Sequence, residues 1–479
     1  MNESSGDARI HPASFRDPSA FLFESGGVLY RWVGERAADD YRLLMDSGLY
    51  TELVEESVLV DHEELGRGES TALQSRLRDK ELGGPTHVIL RPRRLPFISY
   101  PYEWSFQQLK HAALVTLHIQ RRALARDLSL KDASAYNVQF DGVTPVLIDT
   151  LSFERYVDGR PWVAYRQFCQ HFLAPLALMA YRDIRWGLAS REHIDGLPLD
   201  FVAASLPRRT RLRPGLVMHL HGHAASQKRH AAAGSAAAST SLARRAFSRR
   251  AMEGLLDSLE GAVRALRWKR EDTEWAEYYD DTNYSGTAEE HKARVVRQWV
   301  GELRPRKLWD LGANDGRYSR VAKEGASFVL SADGDPVAVD RNYRQCRAEG
   351  QKGILPLLVD LFNPSPALGW EHNERMSLLQ RGPADMVLAL ALMHHLCISN
   401  NVSFDRLVSF FARCAETLLI EWVPKGDSQV QRLLATREDI FDGYGREAFE
   451  NAFGARFSLL KREEIPESKR SLYLYRRLS

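Results

Sequence analysis

Cysteine is scarce: Cys169, Cys346, Cys397 and Cys414 are the only four in 479 residues, and no C-x-x-C pair occurs among them. That spacing excludes a disulfide framework and a cysteine zinc cluster, and reduced, buried thiols are expected. Long hydrophobic runs are lacking too. The longest, "FLAPLALMAY" and "MVLALALM", fall far short of the roughly 18 residues that cross a bilayer, so no membrane span is expected. The first fifteen residues, "MNESSGDARIHPASF", have no apolar signal-peptide core, and a cytoplasmic location is expected. No charge of one sign dominates either: 65 basic residues face 63 acidic ones, a net charge of +2. Composition therefore offers no general argument for a nucleic-acid or membrane partner. No internal repeat is seen.

What is present is enough apolar sequence, 44% beside 27% charged residues, for two to three domains, each with its own core. Between Asp200 and Glu253 there are ten Lys/Arg and no acids. Inside that stretch "HAAAGSAAASTSLA" is poor in large apolar residues and reads as a linker. The flanking "PRRTRLRPG" and "ARRAFSRR" are either a patch for an anionic partner or a solvated connector, and no aromatic residues interleave as stacking platforms. The chain is accordingly divided into an N-terminal α+β domain (1–222), a basic Ala/Ser-rich linker (223–250) and a C-terminal domain (251–479).

Beyond the linker, "MEGLLDSLEGAVRALRWK" has the three-four apolar spacing of a helix. From about residue 290 helices and strands alternate: helix "KARVVRQWVGEL", then strands "KLWDLG", "SFVLSADG", "GILPLLVDL", "ADMVLALAL" and "TLLIEWVP" separated by helical runs. Such alternation implies a doubly wound, mostly parallel sheet that binds ligands at the carboxyl ends of its strands. A final pair, "FSLLKREEI" and "SLYLYRRL", predicts an antiparallel edge hairpin.

The segment "KLWDLGANDGRYSRVA" (307–322) places Asp310 at the end of a strand, with Gly312 and Gly316 bounding the turn into a helix. Glycine there permits positive φ and lets a ligand approach the backbone. A dinucleotide fingerprint starting at Gly312 would need glycine at Asn314 and Arg317, and has neither. An acid beside the turn suits a positively charged ligand better than a pyrophosphate.

"WDLGANDG" resembles motif I of the class I S-adenosylmethionine-dependent methyltransferases, in a variant with asparagine where many members have a middle glycine. The resemblance implies a Rossmann-like sheet of seven strands and S-adenosyl-L-methionine as cofactor, with no metal. It implies cofactor contacts at Asp310, Gly312, Asn314 and Gly316. Asp333, seventeen residues past Gly316, matches the acid that bonds the ribose, with Asp335 as a nearby alternative. Asp360 matches the acid near the adenine amino group, with Leu361 alongside the ring, and Asp385 opens the fourth strand. His394 and His395 follow that strand, where the family places catalytic groups. One of them is the candidate base or, alternatively, they pack under the cofactor or cap a helix; Glu421, ending "TLLIEW", is the next candidate. Upstream, "EWAEYYDDTNYSG" (274–286) lies where many members carry a gating segment. Tyr278, Tyr279 and Tyr284 could touch a ligand or staple the segment to the sheet. The Asn/Asp-Pro-Pro-aromatic signature of base and glutamine methylation is absent after strand four. The layout resembles bacterial two-part methyltransferase-like proteins, some linked to nodulation or surface polysaccharide, and a small-molecule or glycan acceptor is favoured over nucleic acid.

In the N-terminal part, "YNVQF" and "PVLID" flank an Asp-Gly turn and predict a hairpin. Asp132 and Asn137 stand five apart and Asp149 twelve beyond. That spacing resembles the catalytic loop and metal-binding aspartate of kinase-like and aminoglycoside-phosphotransferase-like folds, where the first Asp is the base and the other two residues hold magnesium. Other parts of that family are missing: "FLFESGGVLYRWV" has only Gly26-Gly27 in place of a glycine-rich loop, and Arg31 stands in for a phosphate lysine at best. An ordinary hairpin with turn-forming acids is the alternative. "PWVAYRQFCQHFLAPLALMAYRDIRW" (161–186) reads as a buried helix pair whose Tyr165, Arg166 and Gln167 could line a pocket.

Overall fold

The computed structural model describes residues 8–77, 84–222, 247–268, 286–435 and 437–478. Most of the expected linker, and Tyr278, Tyr279 and Tyr284, lie outside the described residues.

The N-terminal region opens with five strands: β1 (Arg9–Ile10), β2 (Ala20–Ser25), β3 (Val28–Gly34), β4 (His62–Glu64) and β5 (Thr86–Pro92). They form an antiparallel sheet in the order β1-β2-β3-β5-β4. Ser25 pairs with Val28, so Gly26 and Gly27, both at positive φ (59° and 78°), are the two central residues of a tight hairpin. Positive φ at both positions is what such a turn requires, and it accounts for the glycine pair. A long helix follows, α1 (Phe106–Leu124), opened by a reciprocal cap. Ser105 Oγ accepts from the Gln108 amide at 3.3 Å, and Gln108 Oε1 accepts from the Ser105 amide at 2.9 Å.

Two short ladders come next. Strand β6 (Leu128–Leu130) pairs with β9 (Phe153–Arg155), and β7 (Val138–Asp141) pairs with β8 (Thr144–Leu147) across the Asp141-Gly142 turn. The expected helix pair after residue 161 is instead one continuous run, Tyr165–Phe168, Cys169–Leu173 and Ala174–Tyr181, whose middle section is a wide π turn. Pro175 cannot donate to the preceding turn, and the widened turn before it keeps the helix going past a residue that otherwise breaks it.

The C-terminal region begins with α2 (Arg249–Ala265) and α3 (Gly286–Leu303). Seven strands then form one sheet: β10 (Lys307–Leu311), β11 (Phe328–Asp333), β12 (Ile354–Leu358), β13 (Ala384–Ala389), β14 (Ala415–Trp422), β15 (Phe457–Glu464) and β16 (Ser471–Arg477). Their order is β12-β11-β10-β13-β14-β16-β15; the first five are mutually parallel, and β16 runs antiparallel to both β14 and β15. The inner strands are almost wholly buried, as a sheet covered on both faces demands. Helix α4 (Arg317–Lys323) follows β10, and α5 (Pro336–Ala348) follows β11. The third strand ends earlier than the sequence suggests: it stops at Leu358, and Asp360 lies in the turn beyond, accepting a hydrogen bond from the Phe362 amide at 2.9 Å.

The two regions share one core, in which α1 packs against both α2 and α5. Polar pins cross the join. The Gln107 amide donates to Asp340 at 2.9 Å, Gln108 Nε2 to the Pro356 carbonyl at 2.9 Å, and Tyr343 Oη to the Val143 carbonyl at 3.2 Å. Deepest of all, Arg381 makes a two-pronged contact with the Glu103 carboxylate at 2.5 and 2.8 Å, with both side chains 1% exposed. Arg381 also lies over the rings of Phe97 and Tyr100. No described helix is long and apolar enough to cross a membrane.

Candidate functional site

A cavity of about 830 Å³ opens over the carboxyl ends of β10, β11 and β13, where the two regions meet. Its sheet-side lining includes Asp310, Gly312, Asn314, Asp333, Asp360 and Leu361. Residues far apart in sequence are brought together here because successive parallel strands end on the same edge.

The turn after β10 is stitched to the next strand. The Gly312 and Ala313 amides both donate to the Ala332 carbonyl, at 2.9 and 3.0 Å. Gly312 and Gly316 each sit at φ +78°, and Asn314 at φ 49°. A Cβ at Gly316 would fall 2.3 Å from Asn342 Oδ1, and one at Gly312 3.0 Å from Leu392 Cδ1, so glycine is required at the first position and favoured at the second. Asn314, the departure from the usual motif, takes the left-handed conformation that asparagine tolerates, and its amide donates to Asp333 Oδ2 at 2.7 Å. Asp333 Oδ1 accepts from the Asp335 amide at 2.8 Å. Asp335 is a helix cap, accepting from the Val337 and Ala338 amides at the start of α5.

Electrostatically this edge is unusual. Burial, opposed by the Ser319 hydroxyl 2.6 Å away and reinforced by the charge of Asp333, pushes the Asp310 carboxyl up to about 7. Burial likewise pushes Asp333 up to about 6, against the hydrogen bonds from the Asp335 and Asn314 amides. Two acids thus sit close together, and the Lys292 ammonium, whose charge partly offsets the rise at Asp310, is hydrogen-bonded to Glu421 instead.

The expected base candidates separate. His395 lines the cavity, and burial, helped by Arg470, lowers its imidazole to about 4. His394 does not line it: the side chain is fully buried, its ring centroid 4.1 Å from that of His395, with no hydrogen-bond partner on either ring nitrogen. Adjacent residues of a helical turn point about 100° apart, so one faces the cavity and the other the core. Glu421, the further candidate base, is held by partners within the fold. It is fully buried, outside the cavity lining, and accepts from Lys292 Nζ at 2.6 Å and the Ala391 amide at 2.9 Å, with Arg470 at 3.5 Å. Lys292 does line the cavity; its ammonium lies 4.6 Å from the Tyr318 ring centroid, and burial pulls its proton affinity down against the pull of Glu421. The sequence did carry a signal for Lys292: a charge in the apolar stripe of α3, between Ala288 and Val295/Val296. No comparable spacing marks the lining from the N-terminal region, Tyr102, Arg182, Asp183, Arg185 and Arg191.

The second constellation, Asp132, Asn137 and Asp149, is not part of the lining of this cavity. Asp149 Oδ1 lies 2.6 Å from Arg31 Nη1 on β3, and its Oδ2 accepts from Ser152 Oγ at 2.6 Å. Burial works to raise this carboxyl, but Arg31, Ser152 and the Leu151 amide outweigh it and hold it below the usual range. Asn137 Nδ2 donates to Ser152 Oγ at 3.3 Å, and Asp132 Oδ1 accepts from the Ser134 amide at 2.8 Å, closing its own turn. The three residues expected as a magnesium-holding set are thus engaged with Arg31, Ser152 and the Ser134 amide. Among the described residues no group of three or more His, Cys, Asp or Glu side chains converges as a metal site. Tyr165 and Gln167, expected as pocket residues, are engaged elsewhere: Tyr165 Oη lies 2.8 Å from His219 Nδ1, and Gln167 Oε1 accepts from the Ala133 amide at 2.7 Å.

Comparison with known proteins finds no matching family model. The chain is 36% identical over 467 residues to the nodulation protein NoeA of Rhizobium meliloti (strain 1021), covering 97% of this chain and 95% of that one. Among solved structures it is similar to the N-methyltransferase NodS from Bradyrhizobium japonicum WM9 in complex with S-adenosyl-L-homocysteine (TM-score 0.32, 11% identity, 44% of this chain and 95% of that one). It is similar also to magnesium protoporphyrin IX methyltransferase from Synechocystis PCC 6803 with bound SAM (TM-score 0.30, 15% identity, 43% and 89%). A third is the bifunctional kinase-methyltransferase WbdD (TM-score 0.30, 14% identity, 42% and 41%).

Proposed function

The chain belongs to the family of the nodulation protein NoeA, and from the chemistry of its cavity we propose that it is an S-adenosylmethionine-dependent methyltransferase. The observation that carries this is the pair of carboxyls, Asp310 buried and Asp333 half-buried, both raised above the usual carboxylate range beside a turn of bare backbone at the ends of parallel strands. A cation placed among them favours their ionised forms and is attracted in return. The sulfonium and ammonium of S-adenosylmethionine are such charges, so the residues present fit the group. Asp310, Gly312, Asn314, Gly316, Asp333, Asp360 and Leu361 would hold it.

When bound, the cofactor supplies a methyl group made electrophilic by its sulfonium. The chain's own contribution is to position an acceptor beside it, which alone can account for much of the rate of an in-line displacement. His395 presents a neutral imidazole to the cavity at physiological pH. Its low proton affinity suits it to orienting an acceptor, or to taking a proton from one that is itself acidic. The balanced net charge and the missing Asn/Asp-Pro-Pro-aromatic signature support a small-molecule or glycan acceptor over nucleic acid.

The N-terminal region (1–222) we read as a kinase-like scaffold without phosphoryl-transfer chemistry, joined by the basic stretch 223–250 to the transferase region (251–479). Supporting this are the antiparallel sheet followed by α1 and two short ladders, and the Arg31–Asp149 pair.

Titrating S-adenosylmethionine calorimetrically into the full chain and into Gly312→Arg tests the proposal. Binding with a Kd on the order of micromolar that is lost in the variant is expected. No binding to the unmutated protein would overturn it.

A further inference from the structure

The cavity has two chemically opposite walls. On the sheet side stand Asp310, Asp333, Asp335 and Asp360; on the other, from the N-terminal region, stand Tyr102, Arg182, Asp183, Arg185 and Arg191. The charge on the second wall does not cancel. Asp183 is spent on Arg185, which grips it at 2.7 and 2.9 Å. Arg182 is held through Nε by the Ser205 carbonyl, and no carboxylate among the described residues pairs with it. The Arg191 partner is Glu192 at 3.4 Å, whose side chain is 75% exposed and outside the cavity lining. Two guanidinium groups therefore leave this wall positive.

Tyr102 adds an independent observation. The residue is 2% exposed, it lines the cavity, and its hydroxyl has no hydrogen-bond partner among the described residues. A buried hydroxyl without a partner is costly, and native structures rarely keep one without a use. Burial keeps its proton on at any accessible pH, so it is a donor. It is also rigidly placed. The next residue is Glu103, clamped by Arg381 and by the hydroxyl of Ser365, another residue of the cavity lining. The short turn Pro101–Glu103 packs directly on the segments Ile184–Leu188 and Ala189–Glu192, which puts the hydroxyl and the arginine-bearing segment in one neighbourhood.

We propose that this wall binds the methyl acceptor and that the acceptor is anionic, its carboxylate, sulfate or phosphate group engaged by Arg182 and Arg191 while the Tyr102 hydroxyl donates to one of its oxygens. This rests on reading the acidic wall as the cofactor half. Guanidinium groups suit oxyanions because their fixed fork of donors matches two oxygens at once.

The test is calorimetric titration of inorganic phosphate, at low ionic strength, into the full chain and into Arg182→Ala, Arg191→Ala, Arg191→Lys and Tyr102→Phe, with S-adenosylhomocysteine titrated separately into each. Phosphate affinity is expected to fall about tenfold in either arginine-to-alanine variant, the loss expected from one charge-assisted contact. It should recover in part in Arg191→Lys and fall several-fold in Tyr102→Phe. Thermal melting of Tyr102→Phe should be unchanged or raised, because the deleted hydroxyl bonds nothing in the fold, so a purely structural role would not reproduce this pattern. S-adenosylhomocysteine should bind all five proteins alike. Phosphate that binds every variant equally, or does not bind the unmutated chain while S-adenosylhomocysteine does, would overturn the anionic-acceptor inference and leave the methyltransferase reading standing. Failure of S-adenosylhomocysteine alone would overturn that reading and leave the anion-binding wall in place.

Discussion

Two sets of aspartates, each recognisable from motif-like spacing, meet opposite fates in this fold. Asp310, buried, and Asp333, half-buried at the cavity, make no ion pair among the described residues, and their carboxyls rise to about 7 and 6. Asp149, in the N-terminal region, is largely buried as well, yet Arg31 keeps its carboxyl below the usual range. What an acid can bind depends on whether the fold has already neutralised it. A ligand cation finds carboxyls without an ion-pair partner among the described residues at the first site and a completed ion pair at the second.

The largest expected effect comes from breaking the completed pair. Arg31→Ala leaves the Asp149 carboxylate without its counter-ion and is expected to cost about 2–3 kcal/mol in urea denaturation at pH 7. The folded carboxyl is depressed, so its contribution is present above the unfolded value of about 4 and is lost as pH falls through the folded value; the variant's deficit should shrink in acid. A deficit that persists unchanged at low pH would mean Arg31 acts through packing alone.

Asp310 should behave with the reverse sign. Above pH 4 the unfolded chain releases this proton while the folded chain keeps it up to about 7, so stability falls as pH rises across that window and levels off beyond it. Asp310→Asn is expected to be more stable than the parent by about 2 kcal/mol at pH 8. The two should coincide at pH 4, as followed by thermal or urea unfolding. Ligand affinity should show the same proton: S-adenosylmethionine is expected to bind about tenfold more weakly at pH 5.5 than at pH 8. Calorimetry across that range, repeated in Asp310→Asn, should give a flatter profile for the variant.

The smallest effect belongs to Asp132. With one described hydrogen bond, to the Ser134 amide, Asp132→Ala should cost no more than about 1 kcal/mol and leave S-adenosylmethionine binding unchanged. A loss of binding would tie the two regions' acids together in a way the cavity lining does not suggest.

The parts of the molecule that were legible in the sequence are those governed by local periodicity. Apolar runs ending in Asp310, Asp333 and Ala389 announced parallel strands, and Gly312 and Gly316 announced the turn because only a bare backbone fits there. The three-four spacing of "MEGLLDSLEGAVRALRWK" announced the helix seen over Arg249–Ala265, and "KARVVRQWVGEL" marked the C-terminal part of Gly286–Leu303. What escaped was decided by contacts across the chain. Glu103 and Arg381 are 278 residues apart, and nothing local to either says that the other neutralises it. Tyr102, Arg182 and Arg191 lie in short turns and connecting segments without a period to read. His394 and His395 were a pair in sequence, and only the helical turn that carries them separates a core residue from a cavity residue. Asp149 looked like a metal ligand because its spacing is local, whereas its partner Arg31 is on another strand.

The interlocked join between the regions has a consequence for dissecting the protein. A fragment cut at the basic stretch and carrying only residues 251–479 would present Arg381 without its carboxylate and Asp340 without the amide it receives. The exposed face would also include Tyr343, now packed on Phe140 and His111. Such a piece would resemble half of a permanent dimer more than a free-standing enzyme, prone to self-association and short of one wall of its own cavity. The boundary that composition suggests thus does not separate two independent units, and the unit to express, titrate or transplant is both regions together.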